Sequence, residues 1–177
     1  ARYTGLDPVA LRFQAGATGK PALLDEQGNR HELRFNLSHS RGRMLIAVTR
    51  GQDVGIDLEE VRDKVEVDKL AKRFYSPVEY QEIMRRSGLA RVQQFYRYWV
   101  AKEAVLKGQG VGLLSLRSCE VFTPPDATGS QVCPPDGAGL QSGWMIQWLA
   151  CGGGWQGAVA LYGKDWNVSV QTALSEG

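Results

Sequence analysis

Two runs of strict alternation, followed by a long helical pattern, set the limits on what this chain can fold into. Leu33, Phe35 and Leu37 alternate with Arg34 and Asn36, and Val54, Ile56 and Leu58 alternate with Gly55, Asp57 and Glu59. A period of two is the pattern of a strand with one face buried and one open. Between the two runs, Ser40-Arg41-Gly42-Arg43 reads as a turn and Met44 to Val48 as a compact apolar segment. Together these segments predict an antiparallel meander. Upstream, residues 6–13 read as a turn leading into a short strand, and Gly16 to Pro21 as a loop carrying Gly19-Lys20-Pro21.

The pattern then changes period. Ser76-Pro77-Val78-Glu79 opens a helix: Ser76 can cap, Pro77 suits the first helical position, and Glu79 can reach back to the cap's N–H. Gly88 is expected to end that helix, and a longer one is expected from Ala90 to Lys107, closed by Gly108. Phe95, Trp99 and Leu106 fall toward its core side. Strand patterns return at Cys119 to Phe122 and in a hairpin of Trp144–Ala150 with Gln156–Tyr162, joined around Gly152-Gly153-Gly154. Pro124 to Gly143 is rich in Pro, Gly, Asp and Ser and reads as a mobile loop or insertion. Strands, then helices, then strands predict an α+β fold rather than a parallel α/β sheet.

Composition narrows the function. A chain of 177 residues supports one core, or two small lobes sharing an interface. The net charge of +2 lacks the strong basic field of a nucleic-acid or membrane binder, though it suits phosphates or an acidic partner. Three cysteines with no CxxC spacing point to a reduced, cytoplasmic protein. No apolar run approaches a membrane span.

Three pieces carry chemistry. Asp57 and Glu59 stand two apart on one strand, so both side chains leave the same face. Alone, that pair also fits a solvated strand edge. Glu103 and Lys107 are i,i+4 neighbours on the long helix, which by itself describes a common surface ion pair. Asn36-Leu37-Ser38-His39-Ser40 ends a strand with a hydroxyl and an imidazole able to donate to phosphate. A Ser-His-Asp hydrolase is disfavoured, because no GxSxG elbow is present.

In order, Gly19-Lys20-Pro21, Phe35-Asn36-Leu37-Ser38-His39-Ser40, Val54-Gly55-Ile56-Asp57-Leu58-Glu59, residues 73–80 and Trp99-Val100-Ala101-Lys102-Glu103-Ala104-Val105-Leu106-Lys107 resemble the 4′-phosphopantetheinyl transferase superfamily, in its surfactin-type, two-lobed branch. The resemblance runs from Ala1 to about Leu116 and rests on the GID-x-E and W-x-x-KE-x-x-x-K patterns. It implies two similar lobes, each a small antiparallel sheet packed on helices. Residues 1–60 would form an incomplete N-terminal lobe with nucleotide and metal residues. Residues 61–177 would form a C-terminal lobe with the catalytic helix and hairpin.

The resemblance also implies roles. Asp57, Glu59 and Glu103 are similar to the family's Mg2+-binding carboxylates. Glu103 resembles the general base and Lys107 the residue that meets the departing phosphate. Lys20, Ser38 and His39 resemble ligands of coenzyme A, and Lys102 fits the pattern beside them. The implied reaction carries phosphopantetheine from coenzyme A to a serine of an apo acyl or peptidyl carrier protein, releasing 3′,5′-ADP. The implied enzyme is a monomer. Carrier contacts would lie from Gly110 onward and around Phe74 and Tyr75, with steering by Arg85, Arg86 and Arg91. Two other readings fit the carboxylates: a non-catalytic binding relative, and a Mg2+-dependent phosphodiesterase. A final expectation is that the strands around Phe35, Met44 and Ile56 leave an apolar face uncovered, because an upstream segment is missing or a partner chain covers it.

Overall fold

The computed structural model describes residues 2–16, 18–122, 130–132 and 140–172. β1 (Arg12–Ala15) and β2 (Pro21–Leu24) form one antiparallel ribbon, β3 (Leu33–Ser40) and β4 (Arg43–Arg50) a second. The β3–β4 turn is two residues long, with positive φ at Arg41 (43°) and Gly42 (80°). That matches the turn whose twist suits a hairpin. β5 (Val54–Glu60) leaves the expected meander. It pairs antiparallel with β9 (Trp155–Tyr162) in a five-stranded sheet of order β5-β9-β8-β7-β6, where β6 is Val121–Phe122, β7 Ser130–Val132 and β8 Trp144–Leu149. A boundary at residue 60 therefore cuts through a hydrogen-bonded sheet. The cause lies in β5 itself: Val54 to Leu58 are buried on both faces, so the strand needs cover on each side.

The expected hairpin is β8–β9, with Trp144 opposite Tyr162. Within the stretch expected to be an irregular loop, Ser130–Val132 forms β7; residues 123–129 and 133–139 lie outside the described residues.

Among the described residues, three α-helices sit between the strands: α1 (Val67–Phe74), α2 (Pro77–Met84) and α3 (Gly88–Gln109). The capping box forms as expected, with Ser76 Oγ accepting from the Glu79 N–H at 3.2 Å and Glu79 Oε2 accepting from the Ser76 N–H at 2.9 Å. Gly88 opens α3 rather than closing α2, and α3 ends at Gly110, where φ is 69°, rather than at Gly108. Gly108 stays inside the helix because Trp144 packs on it; a Cβ there would lie 2.3 Å from the indole ring. α1 was not expected, although its apolar residues Val67, Leu70, Ala71 and Phe74 fall at i, i+3, i+4 and i+7, one face of a charged helix.

The core forms where α3 crosses the five-stranded sheet. Val100, Ala101, Ala104 and Val105 are fully buried against Trp144, Ile146, Ala158 and Ala160. Ala104 lets β5 approach so closely that a Cβ on Gly55 would stand 1.7 Å from the Ala104 carbonyl oxygen. A second cluster, with Tyr75, Ile83 and Phe95, seats the helices on one another.

The β3–β4 ribbon reverses the expected polarity. Beyond Leu33, which is buried at the start of β3, the buried side chains of that strand are Asn36, Ser38 and Ser40, while Leu37, Met44 and Ile46 are exposed. Ile56, expected on the same uncovered face, is buried at 4% exposure. No helix among the described residues is long and apolar enough to cross a membrane.

Gly55→Ala is expected to lower stability by about 1–3 kcal/mol or more, because the methyl meets backbone rather than a movable side chain. Gly153→Ala, where nothing lies within 4 Å, is expected to change it by less than about 0.5 kcal/mol. Urea denaturation of the two variants reads the difference.

Candidate active site

The close crossing of β5 and α3 sets Asp57 beside the last turns of the helix. Asp57 is buried, and its Oδ1 accepts from Ser38 Oγ at 2.8 Å and from Lys107 Nζ at 2.6 Å. Its other oxygen, Oδ2, is buried without a hydrogen-bond partner. Two residues on, the half-buried Glu59 takes a hydrogen bond from Ser40 Oγ at 3.0 Å. Glu103, 7% exposed, faces both from α3. Burial first, then the Asp57 and Glu59 charges, push its pKa up to about 7, with Lys107 partly offsetting them. Burial and Asp57 also raise Glu59. The three carboxylates of the sequence pattern therefore share one electrostatic site.

Their side chains are not drawn together as ligands: among the described residues, no three His, Cys, Asp or Glu form a group able to hold a metal ion. The cation touching Asp57 is the Lys107 ammonium. The donor set nevertheless suits a hard divalent ion. It is all oxygen, one buried carboxylate oxygen is unpaired, and burial first, then mutual repulsion, raise two of the carboxyl pKa values. Mg2+ favours such donors and keeps several waters of its own.

The remaining expected ligands divide. Ser38 Oγ accepts from the Leu58 N–H at 3.2 Å and from Lys107 Nζ at 3.2 Å, while donating to Asp57. A hydroxyl has one donor, so a phosphate would compete with Asp57 for it; Ser38 serves the carboxylate. His39 sits on the opposite face of β3, exposed and in register with Met44. Lys20 Nζ donates to the Gly108 carbonyl at 2.8 Å and the Val54 carbonyl at 3.2 Å, and pairs with Asp53 at 3.4 Å. It thus caps the C-terminal end of α3, where a cation is favoured. It also borders a cavity of about 470 Å³ shared with Thr18, Arg30 and Gln109.

Lys102 departs from the ligand role expected of it. It is fully buried, ion-paired with Glu79, 4.6 Å above the Tyr75 ring and 3.3 Å from the Phe74 carbonyl. One residue along a helix is a rotation of about 100°, which carries Lys102 into the core while Glu103 meets β5. Glu79 also accepts from the Val121 N–H at 2.9 Å, tying α2, α3 and β6 together. Tyr75, expected to face a partner, is 2% exposed and donates to the Phe95 carbonyl at 2.9 Å. Arg85 and Arg86 pair with Glu82, and Arg91 donates to the Arg86 carbonyl. Ser40 and the Glu79–Lys102 pair were not singled out from the sequence. The two-residue spacing of Asn36, Ser38 and Ser40 was the available signal for the first.

Residues 53–160, more than half of the chain, match the model of the 4′-phosphopantetheinyl transferase superfamily. The chain is 35% identical over 168 residues to the 4′-phosphopantetheinyl transferase HetI of Nostoc, covering 93% of this chain and 66% of that protein. It is 34% identical over 113 residues to the 4′-phosphopantetheinyl transferase Sfp of Bacillus subtilis, covering 64% of this chain and 47% of Sfp. The chain thus spans about half to two thirds of the length of such relatives. Among solved structures, a Thermotoga maritima holo-[acyl-carrier-protein] synthase superposes with TM-score 0.50 at 22% identity, over 63% of this chain and 64% of that one. A Bacillus anthracis holo-(acyl-carrier-protein) synthase in complex with CoA (3′,5′-ADP) gives TM-score 0.50 at 19% identity, over 63% and 96%. These two likenesses concern the fold.

Folding raises the Glu103 pKa from 4.5 to about 7, so the folded protein holds that proton more tightly. Its stabilising contribution is full below the unfolded value and is lost as pH rises through the folded one. The melting temperature without divalent cation is therefore expected to fall between about pH 5 and pH 8 more steeply in wild type than in Glu103→Gln. Equal slopes in the two proteins would contradict the burial of Glu103 in the field of Asp57.

Proposed function

Because the chain belongs to the 4′-phosphopantetheinyl transferase superfamily, we propose that it transfers the 4′-phosphopantetheine of coenzyme A to a serine of an apo acyl or peptidyl carrier protein, releasing 3′,5′-ADP. The observation that carries this reading is that Lys107 touches Asp57 and Glu103 lies in the field of Asp57 and Glu59 at the β5–α3 crossing, on the strand and helix that bear the family's patterns. Asp57, Glu59 and Glu103 would hold Mg2+, which supplies positive charge to the pyrophosphate of coenzyme A.

The chain's own groups divide the remaining work. Glu103 takes the proton of the attacking serine hydroxyl, as a carboxylate base held in place on the helix. Lys107 lies one turn further along α3 and presents its ammonium to the oxygen that leaves with 3′,5′-ADP. Holding both on one helix fixes their separation. Lys20, bordering the cavity under the end of α3, and His39, on the open face of β3, are assigned to the nucleotide's phosphates. We place the enzyme in the cytoplasm as a monomer. Its two described cysteines, Cys119 and Cys151, are free thiols, in keeping with a reducing setting.

Incubation with coenzyme A, Mg2+ and an apo-carrier is expected to add the mass of one phosphopantetheine to the carrier. Coenzyme A consumed without a marked carrier would indicate a phosphodiesterase instead, and neither change a binding protein. Glu103→Gln is expected to lose about 10²–10⁴-fold in transfer rate while retaining coenzyme A binding. His39→Ala is expected to weaken coenzyme A binding by calorimetry; unchanged affinity would remove His39 from the nucleotide site.

A further inference from the structure

β3 and β5 lie side by side but belong to different hydrogen-bonded sheets. What joins them is a row of side chains. Asn36 Oδ1 accepts from the Ile56 N–H at 2.9 Å, Ser38 Oγ from the Leu58 N–H at 3.2 Å, and Ser40 Oγ from the Glu60 N–H at 3.4 Å. Both strands advance by two at each step, so they run in the same direction. The three teeth of this comb are buried, at 5%, 5% and 8% exposure. They satisfy the amides along the open edge of β5, where buried N–H groups need partners.

Two of the teeth do more. A hydroxyl that accepts from an amide keeps its own proton free to donate. Ser38 gives that proton to Asp57 at 2.8 Å, and Ser40 gives its proton to Glu59 at 3.0 Å. Asn36 holds no carboxylate among the described residues and supports only the backbone. An ordinary strand pairing through main-chain carbonyls would close the edge of β5 but leave nothing to orient its carboxylates.

We infer that Ser38 and Ser40 are positioning residues for the Asp57–Glu59 pair. Each hydroxyl occupies one carboxylate oxygen, at 2.8 Å and 3.0 Å, and leaves the other for a divalent cation. This matches Asp57, whose Oδ2 is buried and unpaired. The inference rests on the Mg2+ site proposed above. The strand pair is thereby fixed in orientation before a cation arrives, with Asn36 as the purely structural tooth of the same comb.

Mn2+ serves as a paramagnetic probe of the cation site, titrated into the protein with coenzyme A present. Ser38→Ala and Ser40→Ala are expected to weaken Mn2+ binding about 10–100-fold, the usual effect of removing a group that orients a metal ligand. Ser40→Thr, which keeps the hydroxyl, is expected to restore it; Ser40→Cys, similar in size but a weak donor, is not. Asn36→Ala is expected to lower the melting temperature while leaving Mn2+ affinity within about twofold, since only ligand orientation tunes the site. If Ser40→Ala does not fold, the Thr and Cys variants decide alone. Equal Mn2+ affinity in wild type, Ser40→Cys and Ser40→Ala overturns the inference while leaving the proposed function standing. Wild-type protein that binds no Mn2+ overturns both.

Discussion

The close approach of β5 to α3 governs this molecule. A strand backbone passes so near the helix that the contact surface on each side is reduced to Gly55, Ala104 and Gly108. Side chains of ordinary size would hold the two elements apart, as they do in most helix–sheet packings. At this separation Asp57 reaches Lys107, and Glu103 feels both strand carboxylates. The same approach lets Lys20 bond at once to the carbonyls of Val54 and Gly108, sealing the place where strand begins and helix ends.

Adjacent helical residues then meet opposite surroundings. Lys102 enters the core, where its charge is supportable only because Glu79 is paired with it and further bonded by the Ser76 and Val121 amides. Breaking such a pair strands a buried charge, which is far more costly than never having built it. Glu103 turns to the site, where burial and like charges push its pKa to about 7. The Glu79–Lys102 pair anchors α3 to α2 and β6 on one side while the carboxylates meet β5 on the other, so the helix is held from both flanks.

Much of the site could be read from residue order. Asp57 and Glu59 share a face because strands have period two, and Glu103 and Lys107 share one because helices nearly repeat every four residues. The capping box at Ser76 and Glu79 was legible for the same local reason. β3 departs from its apolar alternation: past the buried Leu33, Phe35 is half-buried and Leu37 exposed, yet Asn36, Ser38 and Ser40 are buried. Apolar alternation reports which side chains water disfavours. It does not report an unpaired strand edge, whose amides can demand polar side chains more strongly.

The sequence by itself determined the periods, the caps and the chemical kinds of side chain on each face. Those follow from backbone geometry within a few residues, and they sufficed for the α+β class and the helix bearing Glu103 and Lys107; the family rested on the resemblance of the ordered motifs. Only the tertiary structure decided that β5 joins β9 rather than β4, that Lys102 belongs to the core, and that Ser38 and Ser40 hold carboxylates. Each of these depends on a partner at least 19 residues away. Local propensity carries no information about which distant donor will meet a given acceptor; burial and hydrogen-bond satisfaction across the whole fold settle it.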